Sequence, residues 1–555
     1  MPYDIPINMI NHAALQYLSL AIFFMAAPIA NSEDQKTMRI FIFAGQSNMV
    51  GSDSNIEDIK NFPPFIGLDS PQSDVLFSYA IGRENKTRSD GWTQLQPVNN
   101  LVGPELSFAR EISQQIQAPI GIIKCAAGGT HLGGDWNPDA PEGFKMYPLT
   151  MDLIKSSLAE LDREKIAYRI EGIVWHQGEN DMFNEEYMAH YGDNLANFLA
   201  RWRHDLASPN LHFYIGELCT KTIWGMDLRP RMNAISIGQK AVTEVDPHAD
   251  YVQTSHVGVE IGDGVGLHYH YGTLGQLEQG VNYAHAYLKN IGVKTTTPRP
   301  LKSWPYPDRT PLKLFILAGH RNMEGERAFT QHLAPENAKL AQENHSIAFK
   351  YNLGGDYKTS SSWEPLGPPD YYDTFGPELS FARAISARKS ESFAIAKFTH
   401  SGSQMNDWTP DGSIAKARHL YPNFIAFVKE AIKELEAKGH TVSLEGIFYH
   451  LGENEMSMPP YRKQTPQWLG DLVTQSRIDL NLPKLNWFVS QQPPTDHERV
   501  NEIDVTIEFE KMAATDAHLI HIKAFDLPKQ AKQLVIDTPG IVRLGELLAE
   551  SYLKN

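Results

Sequence analysis

The 555-residue sequence predicts two successive α/β domains of one architecture, each a central parallel sheet covered by helices on both faces. Three observations predict it. Short, nearly continuous apolar runs alternate with longer amphipathic stretches. That alternation is passed through twice in register. The composition, 42% hydrophobic and 21% charged, is globular and gives enough chain for two large cores.

In the first half the expected strands are Met38–Ala44, Ile120–Ala126, Ile170–His176, Leu211–Leu218 and Tyr251–Thr254. Helical patterns run over Glu105–Gln117, Glu185–Leu206 and Leu274–Leu288. The second half repeats the strands at Leu312–Ala318, Phe393–Phe398, Leu444–His450, Trp487–Ser490 and Leu519–Ile522. Thr295–Pro311, rich in Pro and Thr and without periodicity, is the expected linker between domains spanning 38–294 and 312–555. The apolar run Ala13–Ala30 has the size and small-residue exit of a secretory signal peptide, although no Lys or Arg precedes it. A buried N-terminal helix is disfavoured by the polar Ser32–Lys36 that follows. The expectation is a leader over residues 1–32, a secreted or extracytoplasmic protein, and no membrane span in the mature chain.

The repeat is readable residue by residue. Ile42–Gly51 recurs as Ile316–Gly325, and Gly103–Arg110 recurs unchanged as Gly376–Arg383. Glu171–Asp181 recurs as Glu445–Glu455, and Asp135-Trp136 as Asp407-Trp408. All keep an offset of 272–274 residues. The chain is therefore its own control: residues kept in both copies serve the fold, and residues kept in one are candidates for chemistry.

Charge and cysteine content narrow the function. A net charge of −16 argues against nucleic acid and anionic membranes as partners. The two cysteines, Cys125 and Cys219, allow at most one internal disulfide, and their spacing is not that of a metal site.

Ser47 ends a strand between Gly45 and Gly51, where a tight turn leaves a backbone N–H beside a reacting carbon. Gly45, Asn48, Met49 and Gly51 survive in the second copy, but Ser47 becomes Arg321. A serine that merely capped a helix would exchange for Thr, Asp or Asn. Gln177, a potential oxyanion donor after the third strand, becomes Leu451. Gly128-Gly129 becomes Ser401-Gly402; a glycine there can offer its N–H unobstructed. Glu105, Trp136 and Glu179 persist in both copies and read as architectural.

Gly45-Gln46-Ser47-Asn48-Met49, Gly128-Gly129-Thr130 and His176-Gln177-Gly178-Glu179, each after a strand, resemble the blocks of the SGNH hydrolases. Within them they are most similar to the sialate O-acetylesterase and acetylxylan esterase branch, carbohydrate esterase family 6. The resemblance covers Met38 to about Leu288 and, in degenerate form, Leu312–Leu553. It implies a flavodoxin-like three-layer fold, a Ser-His-Asp mechanism without metal or cofactor, and release of acetate from an acetylated carbohydrate. It also implies an oxyanion hole built from the Ser47 N–H, a glycine of Gly128-Gly129 and the Gln177 amide.

The family's last block places an Asp three residues before the catalytic His, and this chain departs from it. Counting back from Gly275 and Gly280 favours His270 as base; counting forward from Asp263-Gly264 favours His268. Val265 and Leu267 occupy the positions three residues upstream, so Asp263 is the nearest carboxylate and Glu260 the fallback. In the second copy, aligning Gly545 with Gly280 puts Val535 opposite His270. That copy thus lacks serine, amide and histidine together. The leading expectation is a carbohydrate O-acetylesterase with one active domain. The alternative is a non-enzymatic carbohydrate-binding protein.

Overall fold

A computed structural model of the chain describes residues 36–83, 86–219, 222–223, 226–254, 256–257, 269–295, 298–413, 419–451, 455, 459–492, 505–528 and 535–555. The apolar run Ala13–Ala30 lies outside these residues, as do Glu260, Asp263 and His268. Among the described residues no helix is long and apolar enough to cross a membrane.

The first sheet is built from β1 (Met38–Gly45), β2 (Gln72–Ile81), β3 (Ile120–Ala126), β4 (Tyr168–His176), β5 (Phe213–Gly216) and β6 (Ala249–Val252). These six run parallel in the order β6-β5-β4-β1-β3-β2. Short antiparallel strands at 87–88 and 93–95 add to β2. The second sheet uses β7 (Pro311–Gly319), β8 (Asn344–Leu353), β9 (Phe393–Thr399), β10 (Thr441–Leu451), β11 (Trp487–Gln491) and β12 (Leu519–Lys523). Its order, β12-β11-β10-β7-β9-β8, is the same. Without the edge strand β2 or β8, each order is the flavodoxin-like 2-1-3-4-5. The sequence pattern does not single out β2, because Ser73, Asp74 and Ser78 interrupt its apolar positions.

Helices close both faces. In the first domain they are α1 (Ser47–Val50), α2 (Glu105–Gln115), α3 (Met146–Arg163), α4 (Tyr191–Asp205), α5 (Arg229–Val245) and α6 (Gly272–Asn290). The expected helix Glu185–Leu206 is two pieces, a turn at Glu185–Ala189 and then α4. In the second domain they are α7 (Arg321–Glu324), α8 (Glu378–Ser386), α9 (Tyr421–Ala437), α10 (Pro459–Asp479), α11 (Thr506–Thr515) and α12 (Thr538–Lys554).

The central strands are apolar throughout because successive side chains enter opposite cores. Ile40, Ile42 and Ala44 pack with Met151, Leu195 and Trp202 under α3 and α4. Phe41 and Phe43 pack with Phe108, Leu277 and Val281 under α2 and α6. The Phe41 ring meets Phe108 and Tyr287 edge-on at 4.9 and 4.8 Å. Burying side chains of this kind contributes about 1.5–3 kcal/mol each.

Even irregularities are duplicated. Between β1 and β4 the register slips at Ile40/Phe41, and between β7 and β10 it slips at Leu314/Phe315. Glu171 and Glu445 are the residues stepped over; Glu171 turns to Arg39 (2.7 Å) and Glu445 accepts from Tyr552. This explains why Glu-Gly survives in both copies. Glu105 and Glu378 likewise begin α2 and α8 and pair with buried Lys124 and Lys397 at 2.7 and 2.9 Å.

The segment expected to be a linker belongs partly to the second domain. Tyr306 is buried in that core with Trp304 beside it, and Arg299 pairs with Glu364 at 3.2 Å. Cys125 and Cys219 are both buried and are not joined by a disulfide.

Candidate active site

In an open parallel sheet the ligand site lies beyond the carboxyl ends of the strands where the order reverses, here around β1. Three of the expected segments meet there. β1 delivers Ser47, β3 delivers Gly128-Gly129 and β4 delivers Gln177. A Cβ on Gly45 would stand 2.1 Å from the His176 carbonyl, so only glycine lets β1 turn so close to β4. Ser47 opens α1 and is partly exposed. Gly51 closes that turn, its N–H donating to the Ser47 carbonyl at 3.0 Å. A Cβ on Gly128 would lie 3.5 Å from the Ser47 Cβ, which places this backbone against the serine. The N–H groups of Ser47 and Gly128 have no acceptor among the described residues.

Asn48 joins the serine turn to the histidine. Its amide donates to the Tyr269 carbonyl (3.1 Å) and its oxygen accepts from the Tyr271 N–H (3.3 Å), bracketing His270. The same amide donates to Glu179 (2.6 Å), whose carboxyl, close to His176 at 3.4 Å, is held below its ordinary range against the cost of burial. Glu179 is thus a support for the turn. In the second copy Asn322 accepts from the Ile536 N–H at 2.7 Å. Ile536 is the counterpart of Tyr271, so Val535 stands where His270 stands.

His270 Nδ1 bonds Asp53 Oδ2 at 2.6 Å. That bond, opposed by partial burial, holds the Asp53 carboxyl below its ordinary range. Asp53 lies on the serine's own loop, six residues beyond it, and sequence reasoning missed it. A signal existed: its counterpart is Arg327, so it too is kept in only one copy.

Gln177, expected at the oxyanion, has its amide engaged within the protein. It is fully buried, and its amide nitrogen donates to Asp181 (2.5 Å), the Thr130 carbonyl (2.9 Å) and Gln46 (3.1 Å). It ties the loops after β1, β3 and β4 into one buried polar knot. Asn180 is partly exposed instead, its amide nitrogen 3.6 Å from where a Gly129 Cβ would be.

The corresponding place in the second domain is filled. Arg321 is buried and forms two bonds to Glu326 at 2.7 and 2.8 Å; Ser401, opposite Gly128, donates to the same carboxylate at 3.2 Å. Leu451, opposite Gln177, is buried in the core.

About half of the chain at a time is similar to known proteins. It is 25% identical over 275 residues to a probable carbohydrate esterase of Arabidopsis thaliana, covering 46% of this chain and 91% of that one. A solved Arabidopsis thaliana structure matches with 23% identity and a TM-score of 0.35, covering 45% and 98% of the two chains. A carbohydrate acetylesterase from Xanthomonas citri matches with 15% identity and a TM-score of 0.35, covering 47% and 59%. The family model for carbohydrate esterase, sialic acid-specific acetylesterase, matches residues 37–289 and again 311–554. With nearly all of the described sequence inside those two matches, the chain belongs to this carbohydrate esterase family and carries its fold twice in tandem.

Proposed function

We propose that the first domain is a serine O-acetylesterase that releases acetate from an acetylated carbohydrate, and that the second domain has no turnover of its own. The observation that carries this reading is His270, bracketed beside the serine turn by Asn48 and bonded through Nδ1 to Asp53 at 2.6 Å. With Nδ1–H donated to a carboxylate, Nε2 is the lone-pair nitrogen that accepts from Ser47.

In this reading Ser47 Oγ attacks the acetyl carbonyl as its proton passes to His270 Nε2. The N–H groups of Ser47 and Gly128 stabilise the oxyanion, and the imidazolium is stabilised by Asp53. Collapse of the tetrahedral intermediate breaks the bond to the sugar oxygen, which takes the proton from His270. Water, activated by the same nitrogen, then attacks the acetyl-serine and frees acetate. Gln177 acts at one remove, holding the loops that carry Ser47 and Gly128.

The missing Asp upstream of His270 was the feature favouring a non-enzymatic binding protein. Asp53 supplies a carboxylate at the same ring nitrogen, so the enzyme reading is the stronger. The Ala13–Ala30 run supports an extracytoplasmic site of action. Hydrolysis of an aryl acetate by the purified full chain tests the proposal; no hydrolysis above background would overturn it.

A further inference from the structure

Helix α6 begins two residues after His270, so whatever fixes α6 bears on the histidine. One face of it, through Leu274, Leu277 and Val281, packs into the first domain's core. Glu278, Asn282 and His285, spaced as one helical stripe, lie on another face. All three lead to the second domain. Glu278 borders a cavity shared with Glu324, Glu326, Asp370 and Tyr372. Asn282 donates to His256 Nε2 at 3.1 Å, and the His256 ring stacks on Tyr357 at 3.5 Å and 17°. His285 meets the edge of Tyr371 at 4.9 Å.

The second-domain partners share a location. Glu324 and Glu326 follow β7, Tyr357 follows β8 and Ser401 follows β9. This is the rim where a parallel sheet of this order would hold a ligand. The cavity left there is about 10 Å³, room for one water and far too small for a sugar. The rim is closed from within by Arg321 and Glu326, and from without by α6. His256 is buried in this seat between Asn282 and the Tyr357 ring, and burial, opposed by the Asn282 bond, pushes its imidazole down to about 3. Gly354, in the left-handed region at φ +60°, lets the backbone approach it; a Cβ there would stand 2.4 Å from the His256 Cβ.

We propose that the second domain's former active-site rim serves as a seat for helix α6, and that Tyr357, through His256 and Asn282, is a positioning residue for His270. The proposal rests on His270 being the base of the esterase. Small displacements of a catalytic group are costly: about 1 Å can cost on the order of 10²-fold in rate.

The test uses the full chain and an aryl acetate. Tyr357→Ala should lower kcat tenfold or more with KM within twofold, and hydrogen exchange over Gly272–Asn290 should quicken. Tyr357→Phe keeps the stack and should restore both. If Tyr357→Ala does not fold, Asn282→Ala removes the bond to His256 and should give the same pattern. Phe424→Ala, in the second core away from the seat, should spare kcat. Unchanged kcat with quickened exchange in α6 would overturn the proposal, as would an equal kcat loss in Phe424→Ala. A wild-type chain without hydrolysis would instead overturn the esterase reading, while exchange in α6 would still report on the seat.

Discussion

The Ser47 and Arg321 turns have nearly the same backbone and opposite contents. The residue before each has φ/ψ of −112/−147° and −97/−146°; the glycine after each has 98/31° and 91/31°. Both glycines donate back to the first helical carbonyl, at 3.0 and 2.9 Å. One turn holds a partly exposed serine against a glycine backbone. The other holds a buried guanidinium paired with Glu326. The turn is therefore dictated by its glycines, by Asn48 or Asn322, and by the methionine beneath, and not by the residue at the nucleophile position. The turn's backbone is separable from the side chain it carries, and one chain records it with a serine and with an arginine.

The largest effect expected is at the residue that differs most. Ser47→Ala should cut turnover by several orders of magnitude, the usual loss when a nucleophile is removed from a cooperating set, with thermal stability unchanged. Wild-type turnover in the purified variant would collapse the contrast between the two turns.

The comparison also needs the two copies to be joined. Arg229, buried at the start of α5, bonds Asp227 at 3.1 Å, Asn406 at 3.0 Å and the Tyr461 hydroxyl, with Asp407 at 3.6 Å. Its removal leaves two carboxylates without their counter-charge, so Arg229→Ala should destabilise the chain by about 3–5 kcal/mol. Denaturant unfolding checks this; a midpoint within error of wild type would mean that the network adds nothing.

Asp53→Asn sharpens the contrast at its second position. Turnover should fall roughly 10²-fold, less than the ~10⁴ of a buried triad acid, because water screens an exposed carboxylate. Asp53 is 62% exposed. The carboxyl is held below its ordinary range, so the loss should be uniform through neutral pH. Unchanged kcat/KM would return the role of acid to Asp263 or Glu260.

Gln177→Leu, copying Leu451, separates two roles for one amide. Loss of its buried bonds to Asp181, Thr130 and Gln46 should cost about 1–3 kcal/mol of stability, with turnover lowered only in proportion. A selective kcat loss at full stability would put the amide back at the oxyanion.

How much of this was legible follows from what each residue packs against. His270 could be counted from Gly280 because that glycine has a fixed place. A Cβ on it would meet the Pro104 carbonyl at 2.0 Å, and one on Gly545 would meet Pro377 at 2.2 Å. The glycine and the Gly103–Arg110 block mark one contact between α6 and α2, which is why both survive in the second copy. Ser47 and Gly128 were legible for a similar reason, since a strand end fixes where the next residue emerges. For Gln177 the motif gives the side chain's position but not its direction, and the bonds to Asp181, Thr130 and Gln46 show only in the fold. Asp53 reaches His270 across 217 positions of sequence, with no spacing rule to suggest it. The seat for α6 joins separate loops with no period, and only the fold brings them together.

The effect confined to one pH window concerns Glu324, which replaces Val50 and lines the cavity under α6. Burial first, then the nearby Asp370, pushes its carboxyl up to about 7 from an unfolded value of 4.5; Lys397 and Thr399 oppose the shift. A raised carboxyl favours the fold at low pH. Below about pH 4.5 both states are protonated, and no penalty exists. As pH rises toward 7 the unfolded chain ionises first, so stability is lost across that window and levels off above it. Glu324→Gln cannot ionise and should lack this slope. It should match wild type near pH 4 and be more stable by roughly 3 kcal/mol above pH 7. Thermal unfolding at the two pH values decides it. Parallel pH dependence in the two proteins would mean that Glu324 is ionised in the folded chain, and that the cavity it lines is wetter than its packing implies.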